Sequence, residues 1–268
     1  MPSILITLTT DFGSNDPFVG IMKGVILGIN PNANIVDLTH GIPAQNIMQA
    51  ALVARYSAPY FPAGTIHVAV VDPGVGSRRR PLLIQAKDSF YVGPDNGIFS
   101  LALKGTTPAR IVELSNETYY LRPRSATFHG RDIFAPVAGY LSLGIPPESF
   151  GNALPGFEQL AWQDPIRDNG RVQGQIVYVD SFGNLITNIQ KEDIKGLSPS
   201  SVVFSLGSIT IRGIKPNYAS GADQELIALF NSWDLLEISR YRGNAQAASG
   251  MQVGDPVLLR SEPTSATI

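Results

Sequence analysis

An α/β N-terminal domain with a mostly parallel sheet, followed by a smaller all-β, barrel-like C-terminal domain, is the architecture this 268-residue sequence predicts. Three observations carry that prediction. Short branched apolar runs alternate with segments of helical periodicity through the first half, the pattern of successive βα units. A polar stretch with two prolines and little periodicity, from Pro155 to Asn169, then interrupts the chain. Beyond it, strand patterns follow one another with a tight hairpin signal among them. The expected division is an α/β domain over residues 1–157, a linker over 158–170 and a β-barrel domain over 171–268.

Taken in order, residues 4–8 (ILITL) are an apolar branched run broken by Thr9-Thr10-Asp11 and a glycine, which predicts a first strand. Asp16-Pro17 has the form of an N-cap followed by proline at the first helical position. Phe18, Met22, Val25, Ile26 and Ile29 then recur at helical spacing. Residues 35–38 suit a second strand, and Ile47, Ala51, Ala54 and Ala58 suit a helix that ends before Pro62-Ala63-Gly64. Residues 66–71 read as a buried strand leading into DPGVGSRRR, and residues 82–86 and 90–92 as two more, the last running into GPDNG. In the second half, strands are expected at 172–179, 202–206, 209–214, 235–239 and 256–260. Gly207-Ser208 between two of them is a two-residue hairpin turn with glycine first. The terminal SEPTSATI is expected to fray.

Composition narrows the chemistry. With 44% hydrophobic and 16% charged residues the chain can bury a core, and a formal net charge of -2 argues against general nucleic-acid binding, which draws its affinity from Lys and Arg on phosphates. There is no cysteine, so thiolate nucleophiles, disulfides and Cys-based metal sites are excluded. The N-terminus lacks a basic region and cleavage pattern, and the least charged stretch, residues 38–54, is interrupted by polar residues. A cytoplasmic protein that does not enter membranes is expected.

Ligands of open α/β sheets bind beyond the carboxyl ends of strands. Asp11, Asp72 and Asp95 each follow a predicted strand, although an aspartate there also serves as a turn residue, and the Asp-Pro pair gives Asp16 a capping explanation. DPGVGSRRR is glycine-rich but lacks the Gly-Lys-Ser/Thr ending of a P-loop and the spacing of a dinucleotide fingerprint. An arginine from its run can orient a nearby carboxylate. Of three histidines, His67 lies within an apolar strand and reads as core, His40 as a loop residue in a pocket, and His129 as a candidate functional residue, with Gly130 beside it permitting close ligand approach.

The motifs TTDFG with Asp16, VVDPGVGS followed by Arg79, YVGPDNG, FHGRDIFAP and DSFGNLITNI stand in order across residues 9–256. Together they resemble the SAM hydroxide adenosyltransferases, adenosine-forming S-adenosyl-L-methionine (SAM) hydrolases related to the fluorinase and chlorinase enzymes. The resemblance implies a homotrimer with active sites between subunits and no cofactor or metal. It implies Asp72, Arg79 and His129 around an attacking water, Asp11 on the ribose hydroxyls, and Asp16 and Asp180 at the methionine end with Ser232 nearby. It also implies Asn184 and the Ala245 backbone on the adenine, with Tyr218 stacked against it; Tyr218, Ser232 and Ala245 rest on the looser matches KPNYAS, FNSWDLLEI and RGNAQ.

These residue types suit that reaction. A sulfonium is a good leaving group, so what must be supplied is an oriented water, and orientation is worth about 7–11 kcal/mol in favourable cases. Asp72 and His129 can accept hydrogen bonds from the water and Arg79 can fix the carboxylate; residue types alone leave open which group takes the proton. Three other readings compete. A halide-using relative carries tyrosine where this chain has Asp72, and a carboxylate repels an anion. A metal-dependent phosphoester hydrolase would build a cage from Asp11, Asp16, Asp72 and Asp132. A non-catalytic SAM or adenosine sensor would leave Asp72, Arg79 and His129 without a role.

Overall fold

The first branched run becomes strand β1 (Leu5–Thr10), and helix α1 (Phe18–Ile29) returns the chain to β2 (Asn34–Thr39), which pairs parallel to β1. The computed structural model describes residues 4–168 and 170–261, and the chain divides into two compact units, Met1–Ala161 and Trp162–Ile268. In the first unit α2 (Ile47–Ser57) leads to β3 (Ile66–Val70), then β4 (Pro81–Ala86), β5 (Ser89–Pro94), β6 (Arg110–Leu114), a π-helical turn at Gly130–Phe134 continuing into α3 (Ala135–Ser142), and β7 (Gly151–Ala153). The seven strands form one sheet in the order β2-β1-β3-β5-β4-β6-β7.

That sheet is mixed, not mostly parallel as the alternation of elements predicts. β1 pairs parallel with β2 and β3, and β3 with β5, whereas β4 pairs antiparallel with β5 and β6, and β6 with β7. The cause is the connection between β4 and β5: only Lys87 and Asp88 join them, both at positive φ (50° and 58°). A two-residue turn with both residues left-handed closes a hairpin, and a parallel crossover needs a dozen residues or more.

Burial follows the pleat. On β3, Ile66, Val68 and Val70 enter one hydrophobic cluster with Met22 and Ile26 of α1 and Val137 of α3. Ala69, and Val71 just beyond the strand, enter another with Ala50 and Ala54 of α2. A strand buried on both faces reads as a continuous apolar run, which makes it legible in sequence. The register Thr10↔Val70 between β1 and β3 brings the ends of these two strands side by side, with Asp11 and Asp72 in the loops that follow.

The second unit holds β8 (Ile166–Asp168), β9 (Arg171–Val179), β10 (Leu185–Gln190), β11 (Val202–Leu206), β12 (Ile209–Arg212), β13 (Leu226–Phe230), β14 (Leu235–Arg240), α4 (Ala245–Ser249) and β15 (Pro256–Ser261). All pairs are antiparallel, in the order β12-β11-β15-β9-β10-β14-β13 with β8 beside β9, and the end strands β12 and β13 touch, so the sheet is a nearly closed barrel. Leu206 pairs with Ile209 across Gly207-Ser208, with Gly207 at φ 57°, the hairpin expected from sequence. β8 lies within the 158–170 segment read as a linker. Apart from Ser261, which ends β15, the tail expected to fray lies outside the described residues. Among the described residues no helix is long and apolar enough to cross a membrane.

His67 is a core residue, as its strand predicts: its Nδ1 pairs with Thr7 Oγ1 at 2.9 Å and its ring packs against Tyr91. Nε2 is buried with no hydrogen-bond partner among the described residues, and burial holds the ring neutral down to about 4 against an ordinary 6.5. The unfolded chain therefore takes a proton at this site before the folded one does. Stability from this group is complete above pH 6.5 and falls as pH drops toward 4, by about 3 kcal/mol in all. In urea unfolding across that range, His67→Leu should show a shallower loss than the parent chain; parallel curves would contradict the assignment.

Candidate active site

The pocket at the carboxyl ends of β1 and β3 has a volume of about 730 Å³ and is lined by Asp11, Asp16, Asp72, His129 and Arg131, with an aromatic wall. That wall is Phe12, Phe18 and Phe128, each edge-on to the others at 5.3 to 5.8 Å between ring centroids. Asp72 is delivered by the end of β3, and the glycine-rich turn after it folds back so that Arg79 reaches the same carboxylate. Arg79 Nε donates to both Asp72 oxygens, at 2.9 and 3.0 Å, and Nη2 also contacts Oδ2. The same Nη2 lies 2.7 Å from His129 Nδ1. Both members of the ion pair are buried, the Arg79 side chain 9% and Asp72 6% exposed, and the guanidinium stands over the Phe134 ring.

Gly76 lets these distant segments meet. A Cβ there would sit 2.4 Å from the Ala126 carbonyl oxygen, and φ is 78°, so only glycine lets the Asp72–Arg79 turn press against the loop before His129. That loop is held by Asp132, which is fully buried, takes Arg131 Nε at 2.6 Å and Nη2 at 3.0 Å, and accepts from the Ser125 amide at 2.7 Å. Gly130 lines the pocket, and a Cβ there would lie 3.2 Å from Met22 Sδ and 3.3 Å from the Phe128 ring, so the close packing of this segment also favours glycine.

A guanidinium has only donors, so His129 Nδ1 is the acceptor and its proton sits on Nε2. Burial first, and then the Arg79 charge, lower the affinity of this imidazole for a second proton. Asp16 is not the helix cap that the Asp-Pro pair suggests. α1 begins at Phe18, Pro17 occupies the N-cap position without a side-chain cap bond, and the Asp16 carboxylate lines the pocket. Asp11 receives the Gln45 amide on Oδ2 at 2.8 Å. Asp95, the third strand-end aspartate, is structural. It binds Arg80 Nε at 2.8 Å and the Glu158 amide at 2.7 Å, outside the pocket. Asp132 likewise is spent on Arg131 and Ser125, so the four carboxylates of the phosphoesterase reading do not share a cage.

The second unit has its own pocket, about 500 Å³, lined by Asp180, Tyr218, Ser232, Trp233 and Glu237 among others. Asp180 organises the loop after β9. Its Oδ1 accepts from the amides of Phe182 and Asn184 and its Oδ2 from Asn184 Nδ2, each at 2.9 Å. Asn184 therefore has one amide hydrogen already committed and does not line the pocket. Gly183, at φ 81°, abuts Asn244, and its carbonyl accepts from Gln246 at 2.9 Å, which joins this loop to the start of α4. Ala245 is fully buried there, beyond the pocket lining. Glu237 gives no signal in the sequence because it alternates within an apolar strand. It is 3% exposed and accepts from Tyr218 Oη at 2.9 Å and Ser239 Oγ at 2.5 Å. Burial and the Glu237 charge push the Tyr218 hydroxyl up to about 12.

The tautomer and charge arrangement at His129 can be read by NMR. Its ring resonances should titrate with a midpoint below the ordinary 6.5, and Arg79→Met should move that midpoint upward by removing a neighbouring positive charge. An unchanged midpoint would contradict the pairing; His129→Gln assigns the signal among the three histidines.

The SAM hydroxide adenosyltransferase N-terminal domain matches residues 6–151, and the corresponding C-terminal domain matches residues 174–258. A protein named (R)-S-adenosyl-L-methionine hydrolase from Thermus thermophilus is 37% identical, the match covering 93% of this chain and 97% of that one. One of the same name from Methanocaldococcus jannaschii is 37% identical over 90% of each. Proteins named fluorinase are more distant, at 22 to 25% identity. The crystal structure of an uncharacterized conserved protein from Thermotoga maritima is 33% identical and superposes with a TM-score of 0.90, covering 95% of this chain and 99% of that one. Matched in order through both units, and by relatives aligned over nine tenths or more of their own length, this chain belongs to the SAM hydroxide adenosyltransferase family.

Proposed function

We propose that this chain hydrolyses S-adenosyl-L-methionine, with water attacking C5′ to give adenosine and L-methionine. The observation that carries the reading is the guanidinium of Arg79 holding Asp72 and His129 together at the wall of an acidic, aromatic-lined pocket. In the reaction the water oxygen forms the new bond to C5′, the C5′–S pair leaves with sulfur as a neutral thioether, and one water proton must be taken up. Because His129 Nδ1 faces Arg79, the Nε2–H can only donate to the water, which orients an oxygen lone pair toward C5′. Asp72 is then the group that accepts the proton. Arg79 keeps the carboxylate in place, and no acid is needed for the leaving group.

Asp11 takes the ribose hydroxyls and Asp16 the methionine end; Asp180 and Ser232 serve the methionine ammonium and carboxylate, with Tyr218, Asn184 and the Ala245 backbone at the adenine. The reading includes a cytoplasmic homotrimer with active sites at subunit interfaces, acting without a cofactor and without nucleic-acid or membrane partners. Halide use is disfavoured, since Arg79 is already committed to Asp72 and His129 and a carboxylate faces the nucleophile's position.

Purified protein incubated with SAM should release adenosine and methionine in equal amounts by chromatography, with the label from 18O-water in the 5′-hydroxyl and no dependence on chloride. Adenosine failing to appear, or carrying no label, would overturn the reading. Asp72→Asn should lower kcat by about 10²–10⁴-fold with KM within a few-fold. A variant that loses affinity and keeps kcat would put Asp72 in binding and not in chemistry.

A further inference from the structure

His40, which has no part in the proposed reaction, is tied to the Asp11 turn from several directions. β1 and β2 slip register between Leu8 and Thr9, so that Leu8 faces Asp37 and Thr9 faces Thr39. Irregularities of this kind at strand ends re-aim side chains, and here Thr10 and His40 come together. Thr10 Oγ1 accepts from the Phe12 amide at 3.2 Å and lies 2.9 Å from His40 Nδ1. On the other side of the ring Nε2 lies 3.0 Å from Asp37 Oδ1, within ion-pair distance although the pair does not meet hydrogen-bond geometry, and Asp37 Oδ2 is held by Lys23 of α1 at 2.5 Å. The main chain adds two more ties: Gly13 donates to the His40 carbonyl at 2.8 Å, and Gln45, at φ 67°, donates to Asp11 Oδ2. A carboxylate on a short turn recognises a diol only if the turn is held still, and residues 10–13 are clasped here by residues 37–45.

We infer that His40 is a positioning residue which, through Thr10 and backed by Asp37 and Lys23, fixes the Asp11 turn and thereby sets the preference for a ribose over a 2′-deoxyribose nucleoside. The inference rests on the proposed reading for Asp11 and deepens it. His40 itself touches no substrate.

Calorimetry with adenosine and 2′-deoxyadenosine tests this without depending on turnover. The parent chain should bind adenosine more tightly, and His40→Leu should erode that preference by about 10-fold or more, the scale of a hydrogen bond to a charged group. Thr10→Val, which keeps the packing, should do the same. His40→Asn, whose amide can replace Nδ1 toward Thr10, should restore much of it. On SAM, the leucine variant should raise KM more than it lowers kcat. If the parent discriminates and both His40→Leu and Thr10→Val still do, the role of His40 is overturned while Asp11 keeps its own. If the parent chain does not discriminate, the assignment of Asp11 to the ribose falls and this inference with it. A preference lost only in step with melting temperature, and not regained in His40→Asn, would mark His40 as merely structural and also overturn it.

Discussion

Arg79 is the constraint on which the rest of the site hangs. A guanidinium with a 9% exposed side chain has lost most of its water, and such a charge is tolerable only if carboxylate and other acceptors replace that hydration. Asp72 meets it through Nε and Nη2, and the imidazole of His129 takes the remaining direction of Nη2. Lysine could not substitute, because a point charge on a flexible stem lacks the planar fork that reaches two acceptors at fixed angles. The same demand explains Gly76, since any side chain would push the Asp72 turn away from the His129 loop, and the guanidinium would lose one of its partners.

The sheet is arranged to serve that contact. Parallel pairing of β1 with β3 sets two strand ends side by side, and the loops leaving them carry Asp11 and Asp72 in the same direction. β5 is also parallel to β3, but the aspartate at its end, Asp95, is turned to Arg80 and the Glu158 amide and stays outside the pocket, while the long β6–β7 connection brings residues 125–131 to it. His129 arrives from the far side of the chain at the head of a π-helical turn. Wide turns of this type recur at functional sites, and here the buried Asp132 holds the turn against the loop that precedes it.

Much of this is legible in residues alone. β1 and β3 announce themselves as branched apolar runs, Gly207-Ser208 as a hairpin, and His67 as core by its apolar neighbours. The hairpin between β4 and β5 is harder to see, because Lys87-Asp88 lacks the glycine or asparagine that advertises two left-handed residues; the absence of room for a helix between residues 86 and 90 is the available signal. Asp16 misleads because Asp-Pro satisfies a capping rule that the fold does not use. Glu237 is hidden because a buried carboxylate is visible only once its partners, Tyr218 and Ser239, are known in space. The ties on His40 depend on a register slip, and no periodicity in a single sequence encodes one.

Charge gives the arrangement its direction. The substrate of the proposed reaction carries two cationic centres, a sulfonium and an ammonium, and one carboxylate. The pocket of the first unit presents Asp11, Asp16 and Asp72 against Arg131, with Arg79 paired behind Asp72. The pocket of the second unit has Asp180 and Glu237 in its lining and, among the described residues, no lysine or arginine. Both surfaces favour a cation, and in partly buried sites such attraction is poorly screened. Attack at C5′ converts the sulfonium to a neutral thioether, so the step that breaks the bond also removes a charge that held the substrate. Methionine retains its ammonium and adenosine carries no charge, so on this reading both products are held less firmly than SAM, and turnover is coupled to release by the chemistry itself.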